Sequence, residues 1–246
     1  MYIIRCGERE YTNIQGIIFD KDGTLEDSRE YWREVAIERV KSIESRIPGL
    51  EKSLRLAYGL RDGDLDPMGL MAVGSRRDNE IATAAYIIAT GRDWWSSLAI
   101  AREGFEEVDR TVPPRLNPLY PDCQKVIRQL ADAGFRLAIL SADTTARVEE
   151  FVKDNGLGDC IAVAIGSDRG RSKPDPLLAI ETCRELGISI ANTLMVGDTV
   201  GDMEMARKAG AAGAIGISWR GDRIEGADVS IGNLEAIVAV APFSGS

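Results

Sequence analysis

The 246-residue chain predicts an α/β fold: a parallel sheet with helices on both faces, and a second, helical domain inserted near its start. Three observations predict it. Short apolar runs, each ending in polar residues or glycine, recur along most of the chain. Helical patterns fall between them at the spacing of strand–helix–strand units. One long stretch, from about residue 27 to residue 117, carries helical periodicity alone.

The first run, GIIFD at residues 16–20, is short and uniformly apolar up to its last position, as suits a strand buried on both faces. Similar runs follow at residues 135–140 (FRLAIL), 160–165 (CIAVAI), 193–196 (TLMV) and 211–217 (AAGAIGI), with a weaker one at 228–231. Between them, residues 121–133 place Val126, Ile127 and Leu130 on one helical face, with Pro121 where a first turn tolerates proline. Residues 145–155 do the same with Val148, Phe151 and Val152, and Gly156 suits the position past the helix end. Helices at residues 174–186 and 202–208 complete the alternation.

In the inserted stretch, Trp32, Val35, Ala36, Val40 and Ile43 recur at helical spacing. Ile81, Ala84, Ala85 and Ile88 follow, then Leu98, Ala101, Phe105 and Val108, with no convincing strand among them. Both ends, residues 26–28 and 113–118 (PPRLNP), have linker composition. The expected division is therefore 1–26 with 118–246 as the α/β core and 27–117 as a separate cap. Residues 242–246 (PFSGS) read as a frayed tail.

Composition excludes several classes. The chain has no histidine, which removes Ser-His-Asp triads, Cys-His nucleophiles and the common histidine-containing zinc sites. Thirty Lys+Arg against 39 Asp+Glu give a net charge of −9, which argues against a nucleic-acid surface but allows a local pocket for a small anion. Cys6, Cys123, Cys160 and Cys183 are scattered without a CxxC and read as reduced, packed thiols. The N-terminal apolar run is too short for a signal peptide, and no stretch approaches the roughly 20 apolar residues of a membrane span. The expectation is a soluble, cytoplasmic monomer or homodimer, with no nucleic-acid or membrane partner.

Four segments carry chemistry. Asp20-Lys21-Asp22-Gly23-Thr24-Leu25 stands at the end of the first strand, where parallel α/β sheets bind ligands. Two aspartates two residues apart in extended chain face the same way; one could serve as nucleophile or metal ligand and the other as proton donor. An ordinary Asp-Gly turn closing a strand is the alternative. Gly197-Asp198-Thr199-Val200-Gly201-Asp202 brings a second pair of carboxylates one helical turn apart, oxygen ligands of the kind Mg²⁺ takes, although Asp202 could simply cap the following helix. Ser141, followed by Ala142, offers a hydroxyl and backbone N–H groups to an anion at a helix start. Lys173, ahead of Pro174, opposes a helix dipole unless an anion lies there.

Together these segments resemble, in order and spacing, the four motifs of the haloacid dehalogenase-like hydrolase superfamily, in its phosphatase branch with an inserted helical cap. The cap position is similar to that of phosphoglycolate phosphatase and β-phosphoglucomutase relatives. The resemblance implies a Rossmann-like core, an all-helical cap, and a Mg²⁺-dependent phosphatase acting on a small phosphorylated metabolite, with 2-phosphoglycolate the named candidate. It implies Asp20 as nucleophile and Asp22 as acid and base. Mg²⁺ would be held by Asp20, the Asp22 carbonyl and Asp198. Ser141, Ala142 and Lys173 would bind phosphoryl oxygens, with Asp202 and Thr24 supporting. A phosphomutase of the β-phosphoglucomutase type, or a non-catalytic phosphate-binding protein, would use the same fold. Asp22 disfavours dehalogenases, which lack it. Lys21 departs from the leucine of many relatives and either assists anion binding or faces the cap. In the cap, the polar, glycine-rich stretch from Asp62 to Arg77 reads as a loop, with Arg76 or Arg77 available to a second charged group or simply solvated.

Overall fold

The computed structural model describes residues 3–240, so the tail at 242–246 lies outside the described residues. Residues up to Asp27 and from Pro118 onward form one compact unit, and Ser28–Asn117 form the other. In chain order, the first unit opens with strands β1 (Ile3–Cys6), β2 (Arg9–Thr12) and β3 (Gly16–Phe19). The second unit contains α1 (Arg29–Arg46), α2 (Glu51–Tyr58), β4 (Leu60–Arg61), β5 (Asp64–Leu65), α3 (Leu70–Val73), α4 (Arg76–Ile88) and α5 (Trp94–Thr111). The first unit resumes with α6 (Cys123–Asp132), β6 (Arg136–Leu140), α7 (Thr145–Asp154), β7 (Ile161–Ile165) and α8 (Pro176–Leu186). It continues through β8 (Thr193–Gly197), α9 (Val200–Ala209), β9 (Gly213–Ile217), β10 (Val229–Ile231) and β11 (Ile237–Val240). No helix among the described residues is long and apolar enough to cross a membrane.

Six strands make a wholly parallel sheet in the order β10-β9-β8-β3-β6-β7. The apolar runs of the sequence are these six strands. Side chains alternate across the sheet because strand residues have a period of two. Ile17, Phe19, Leu137, Ile139, Leu194 and Val196 join one core with α6 and α7. Ile18, Ala138, Leu140 and Met195 join the other with α8 and α9. The anticipated faces of α6 and α7 are the buried ones. Gly156 takes the left-handed conformation just past α7. Pro121, however, precedes its helix, because Asp122 turns into the left-handed region and α6 starts only at Cys123. The helix expected from residue 174 starts at Pro176, where the Asp175 side chain caps it.

β1, β2 and β11 form a separate antiparallel sheet in the order β11-β1-β2 that the sequence pattern does not reveal. Its strands are only four residues each; β2 (REYT) is mostly polar, and the apolar β11 (IVAV) pairs with β1 from the far end of the described chain, which no local pattern reports.

The helical unit has its own core, with Tyr31, Val35, Val40 and Ile43 from α1 against Ala84 and Ile87 from α4 and Leu98, Phe105 and Val108 from α5. Two details differ from the sequence expectation. A short hairpin, β4–β5, interrupts the helices, and its turn is Asp62-Gly63, both at positive φ. That dipeptide is the usual signal for a two-residue hairpin loop. The buried stripe of α4 is also rotated: Ile81 is 39% exposed and Ala85 is exposed, while Asn79, Glu80, Thr83, Ala84 and Ile87 face inward. These polar residues go inside because they find partners. Thr83 Oγ1 lies 2.6 Å from Tyr58 Oη, Asn79 Nδ2 donates to Ser75 O at 2.9 Å, and Glu80 pairs with Arg76 and Arg102. Phe105 is fully buried at the centre of this core, with the Arg39 guanidinium 4.1 Å from its ring centroid. Phe105→Ala is expected to destabilise the helical unit by about 3–5 kcal/mol, read as a lower urea midpoint; an unchanged midpoint would contradict this packing.

Candidate active site

The site follows from strand order. From β3 the chain moves through β6 to β7, then returns to place β8 on the other side of β3, so the direction of travel reverses beside β3. Open parallel sheets form a crevice at such a reversal, at the carboxyl ends of the strands. Phe19 pairs in register with Ile139 and Val196, so the three strands finish nearly level. Asp20 follows β3, Ser141 follows β6, and Asp198 follows β8. Backbone hydrogen bonds fix these exits: Asp20 N–H donates to Val196 O at 2.8 Å, and Ser141 N–H to Ile165 O at 3.0 Å.

Ligand oxygens of Asp20, Asp198 and Asp202 all lie within 4.8 Å of one another. Lys173 reaches into the group, its Nζ 2.5 Å from Asp20 Oδ1 and 2.7 Å from Asp202 Oδ1, with its side chain only 8% exposed. Lys173 thus has the anions that its place before Pro174 calls for: it is a buried cation between Asp20, at the end of β3, and Asp202, on the first turn of α9. Asp202 occupies the third position of α9 in a reciprocal cap with Thr199, whose Oγ1 donates to Asp202 Oδ2 at 2.6 Å. Helix capping and lysine anchoring are therefore the same side chain's work.

Charge shows what the cluster lacks. Among the described residues, one lysine faces three carboxylates, and no lysine or arginine pairs with Asp198. Burial raises the Asp20 carboxyl to about 6, Lys173 pulling it down and Asp202 pushing it up. Burial, then Asp20 and Asp202, raise Asp198 well above the usual carboxylate range. Burial opposes the charge of Lys173, but Asp20 and Asp202 outweigh it and hold the ammonium above its usual value. Two uncompensated negative charges, carried on hard oxygens at two strand ends, match a divalent cation such as Mg²⁺.

Small residues make room for this cluster. Gly23 has φ +76°, and a Cβ there would run into the Asp198 carboxylate. Asp22-Gly23 is thus more than the strand-closing turn its composition suggests, because the glycine lets two loops meet. Thr24, fully buried, places its Oγ1 3.5 Å from both Asp20 Oδ2 and Asp198 Oδ1, the outer limit of a hydrogen bond.

Asp22 belongs to a neighbouring group. The strand ends at Phe19, so Asp20 and Asp22 do not share a face of extended chain as their spacing suggests. Asp22 Oδ2 instead accepts from Ser141 Oγ at 3.3 Å and pairs with Lys21 Nζ at 2.8 Å. The carboxylate cluster comprises Asp20, Asp198 and Asp202; the Asp22 side chain is not in it, so the metal role expected of Asp22 rests on its carbonyl alone. Ser141 Oγ also accepts from Asp143 N–H at 3.1 Å, and Thr144, not Ser141, is the residue that precedes α7 as its cap position. Ala142 lies between them, its carbonyl taken by Ser167 Oγ at 2.6 Å. In the helical unit, Arg76 is committed to Glu80 and Asp109, and Arg77 is exposed on the first turn of α4. Glu26, Asp143 and Arg147, which no sequence motif singles out, join Lys21 and Asp22; Asp143 alone has a signal, standing two residues after the strand-end serine.

The strand-end aspartate of β3 thus stands beside the G-D-x-x-x-D that follows the neighbouring strand β8. A family model for haloacid dehalogenase-like hydrolases matches residues 14–210, and the chain belongs to that family. The phosphoglycolate phosphatase of Neisseria meningitidis serogroup A is 25% identical over 212 residues, covering 84% of this chain and 81% of that protein. Two crystal structures share the fold. A predicted phosphoglycolate phosphatase from Haemophilus somnus 129PT has a TM-score of 0.66 at 18% identity, over 89% of this chain and 94% of its own. A HAD phosphatase from Thermococcus onnurineus has a TM-score of 0.61 at 22% identity, over 90% and 95%.

Two outcomes are expected. Because the folded Asp20 carboxyl titrates near 6 instead of 3.8, the native state binds its proton more tightly, and this group's contribution to stability falls as pH rises between those values. Mg²⁺ should offset that loss, raising Tm more at about pH 7.5 than at about pH 5; equal shifts would contradict the assignment. Gly23→Ala should weaken Mg²⁺ binding about 10- to 100-fold by thermal titration, and unchanged binding would show that Asp198 does not need this space.

Proposed function

We propose that the protein is a Mg²⁺-dependent phosphatase that hydrolyses a small phosphorylated metabolite through a phosphoryl group carried on Asp20. The convergence of Asp20, Asp198, Asp202 and Lys173 at the ends of β3 and β8 carries this reading. Asp20 attacks phosphorus in line, a new oxygen–phosphorus bond forms, and the bond to the leaving oxygen breaks. Asp22 gives that oxygen a proton, then takes one from the water that cleaves the phosphoryl-aspartate and regenerates Asp20. Lys173 keeps Asp20 oriented and offers positive charge to the phosphoryl oxygens. Ser141 and the Ala142 backbone take further phosphoryl oxygens, the Ser141 hydroxyl turning its hydrogen bond from Asp22 to phosphate as substrate enters.

Asp20, the Asp22 carbonyl and Asp198 would hold Mg²⁺, which when bound neutralises the repulsion between carboxylate and phosphate. The donor set is consistent with it, being oxygen only and short of positive charge. The helical unit is the substrate-selecting cap in this reading. The relationship to phosphoglycolate phosphatases supports 2-phosphoglycolate as the first substrate to assay.

Asp20→Asn should lower p-nitrophenyl phosphate turnover by about 10³-fold or more with the fold intact by circular dichroism, and EDTA should stop the wild-type enzyme until Mg²⁺ is restored. Turnover that survives both treatments would overturn the assignment.

A further inference from the structure

Lys21 has no task in the reaction above, yet it is 3% exposed, and an ammonium is costly to bury. Its Nζ lies 2.7 Å from Glu26 Oε1, 2.8 Å from Asp22 Oδ2 and 3.6 Å from Asp143 Oδ2. Asp143 is paired in turn with Arg147 Nε at 3.0 Å. The Phe151 ring closes another side of the ammonium, 5.8 Å from its centroid. Lys21 is therefore engaged with carboxylates on three sides.

Two features define what this arrangement does. Lys21 and Arg147 balance Glu26 and Asp143, so the group is neutral before Asp22 is counted. Lys21 thus shares its charge among Asp22, Glu26 and Asp143, and meets Asp22 as a fixed hydrogen-bond donor as well as a counter-charge. Lys21 Nζ and Ser141 Oγ also reach the same Asp22 oxygen, Oδ2. The ammonium alone makes Oδ2 a poor seat for a proton, and it stays there when the Ser141 hydroxyl turns to phosphate, so the proton belongs on Oδ1.

We propose that Lys21 is a positioning residue: anchored by Glu26 and Asp143, it pins Asp22 Oδ2 so that Oδ1 is the oxygen that passes a proton to the leaving group. The proposal rests on the phosphatase reading. As the bond from phosphorus to the leaving oxygen breaks, that oxygen's electron pair takes the proton from Oδ1, and Asp22 is left a carboxylate. Lys21 remains an ammonium throughout and exchanges no proton.

The test compares phenyl phosphate with p-nitrophenyl phosphate, two esters of similar shape whose leaving groups differ in their need for a proton. The ratio kcat/KM reports the steps up to leaving-group departure, so it isolates proton donation from the later hydrolysis. Lys21→Met should reduce kcat/KM for phenyl phosphate about ten-fold or more beyond its effect on p-nitrophenyl phosphate, because p-nitrophenolate departs without help. A role in folding alone would reduce both equally. Equal losses, or no loss, in a variant of an active enzyme overturn the role of Lys21 and leave the phosphatase reading standing. A wild-type enzyme that turns over neither ester overturns both. Should Lys21→Met fail to fold, the Lys21→Met/Glu26→Gln pair, which also removes the stranded carboxylate, carries the same comparison: a selective loss on phenyl phosphate supports the role, and equal losses overturn it.

Discussion

The site depends on one electrostatic constraint: three carboxylates crowd a single buried lysine at the ends of two adjacent strands. Asp20 comes from β3 and Asp198 from β8, strands that are neighbours only because the chain reverses direction across the sheet. Asp202 is carried on the first turn of α9 and held there by Thr199. Like charges brought this close raise one another's affinity for protons or for a cation, and Lys173 satisfies only part of that demand. The backbone accommodates the crowding by leaving out side chains: Gly23 gives the Asp198 carboxylate room, and Gly197 does the same for Asp202, where a Cβ would also collide.

Two buried lysines divide the work between two aspartates. Lys173 serves Asp20, and Lys21 serves Asp22. Each lysine bridges its aspartate to a further acid, Asp202 in one case and Glu26 in the other. Burial opposes the charge of Lys21, but Asp22, Glu26 and Asp143 outweigh it and keep the ammonium charged. Two acids of the same residue type, two positions apart, thus sit in different surroundings, which is the condition for giving them different roles.

Fold and site are legible in the sequence where a strong local pattern coincides with a strand end. The four central strands, β9, β8, β3 and β6, are buried on both faces and appear as apolar runs, and Asp20, Ser141 and Asp198 stand at the ends of three of them. What stays hidden is long-range or carried by polar residues. The β1-β2-β11 sheet joins the two ends of the described chain through strands of four residues each. The inward face of α4 is polar because Thr83, Asn79 and Glu80 have partners, some of them on other segments, so counting apolar residues gives the wrong phase. The β4–β5 hairpin does carry a local signal, Asp62-Gly63, but its two-residue strands are too short to show an alternation beside it. Lys173 and Lys21 are identifiable as charged residues beside motifs, but their burial depends on acids far along the chain or around a turn. No pattern of spacing reports that.

The most direct test is a count of divalent ions bound to the folded protein, using Mn²⁺ and the loss of its free-ion resonance signal. One ion per chain is expected, displaced by Mg²⁺, with binding lost in Asp198→Asn while the fold is retained. Failure to bind Mn²⁺, or binding that Asp198→Asn leaves unchanged, would contradict a cation shared between the ends of β3 and β8.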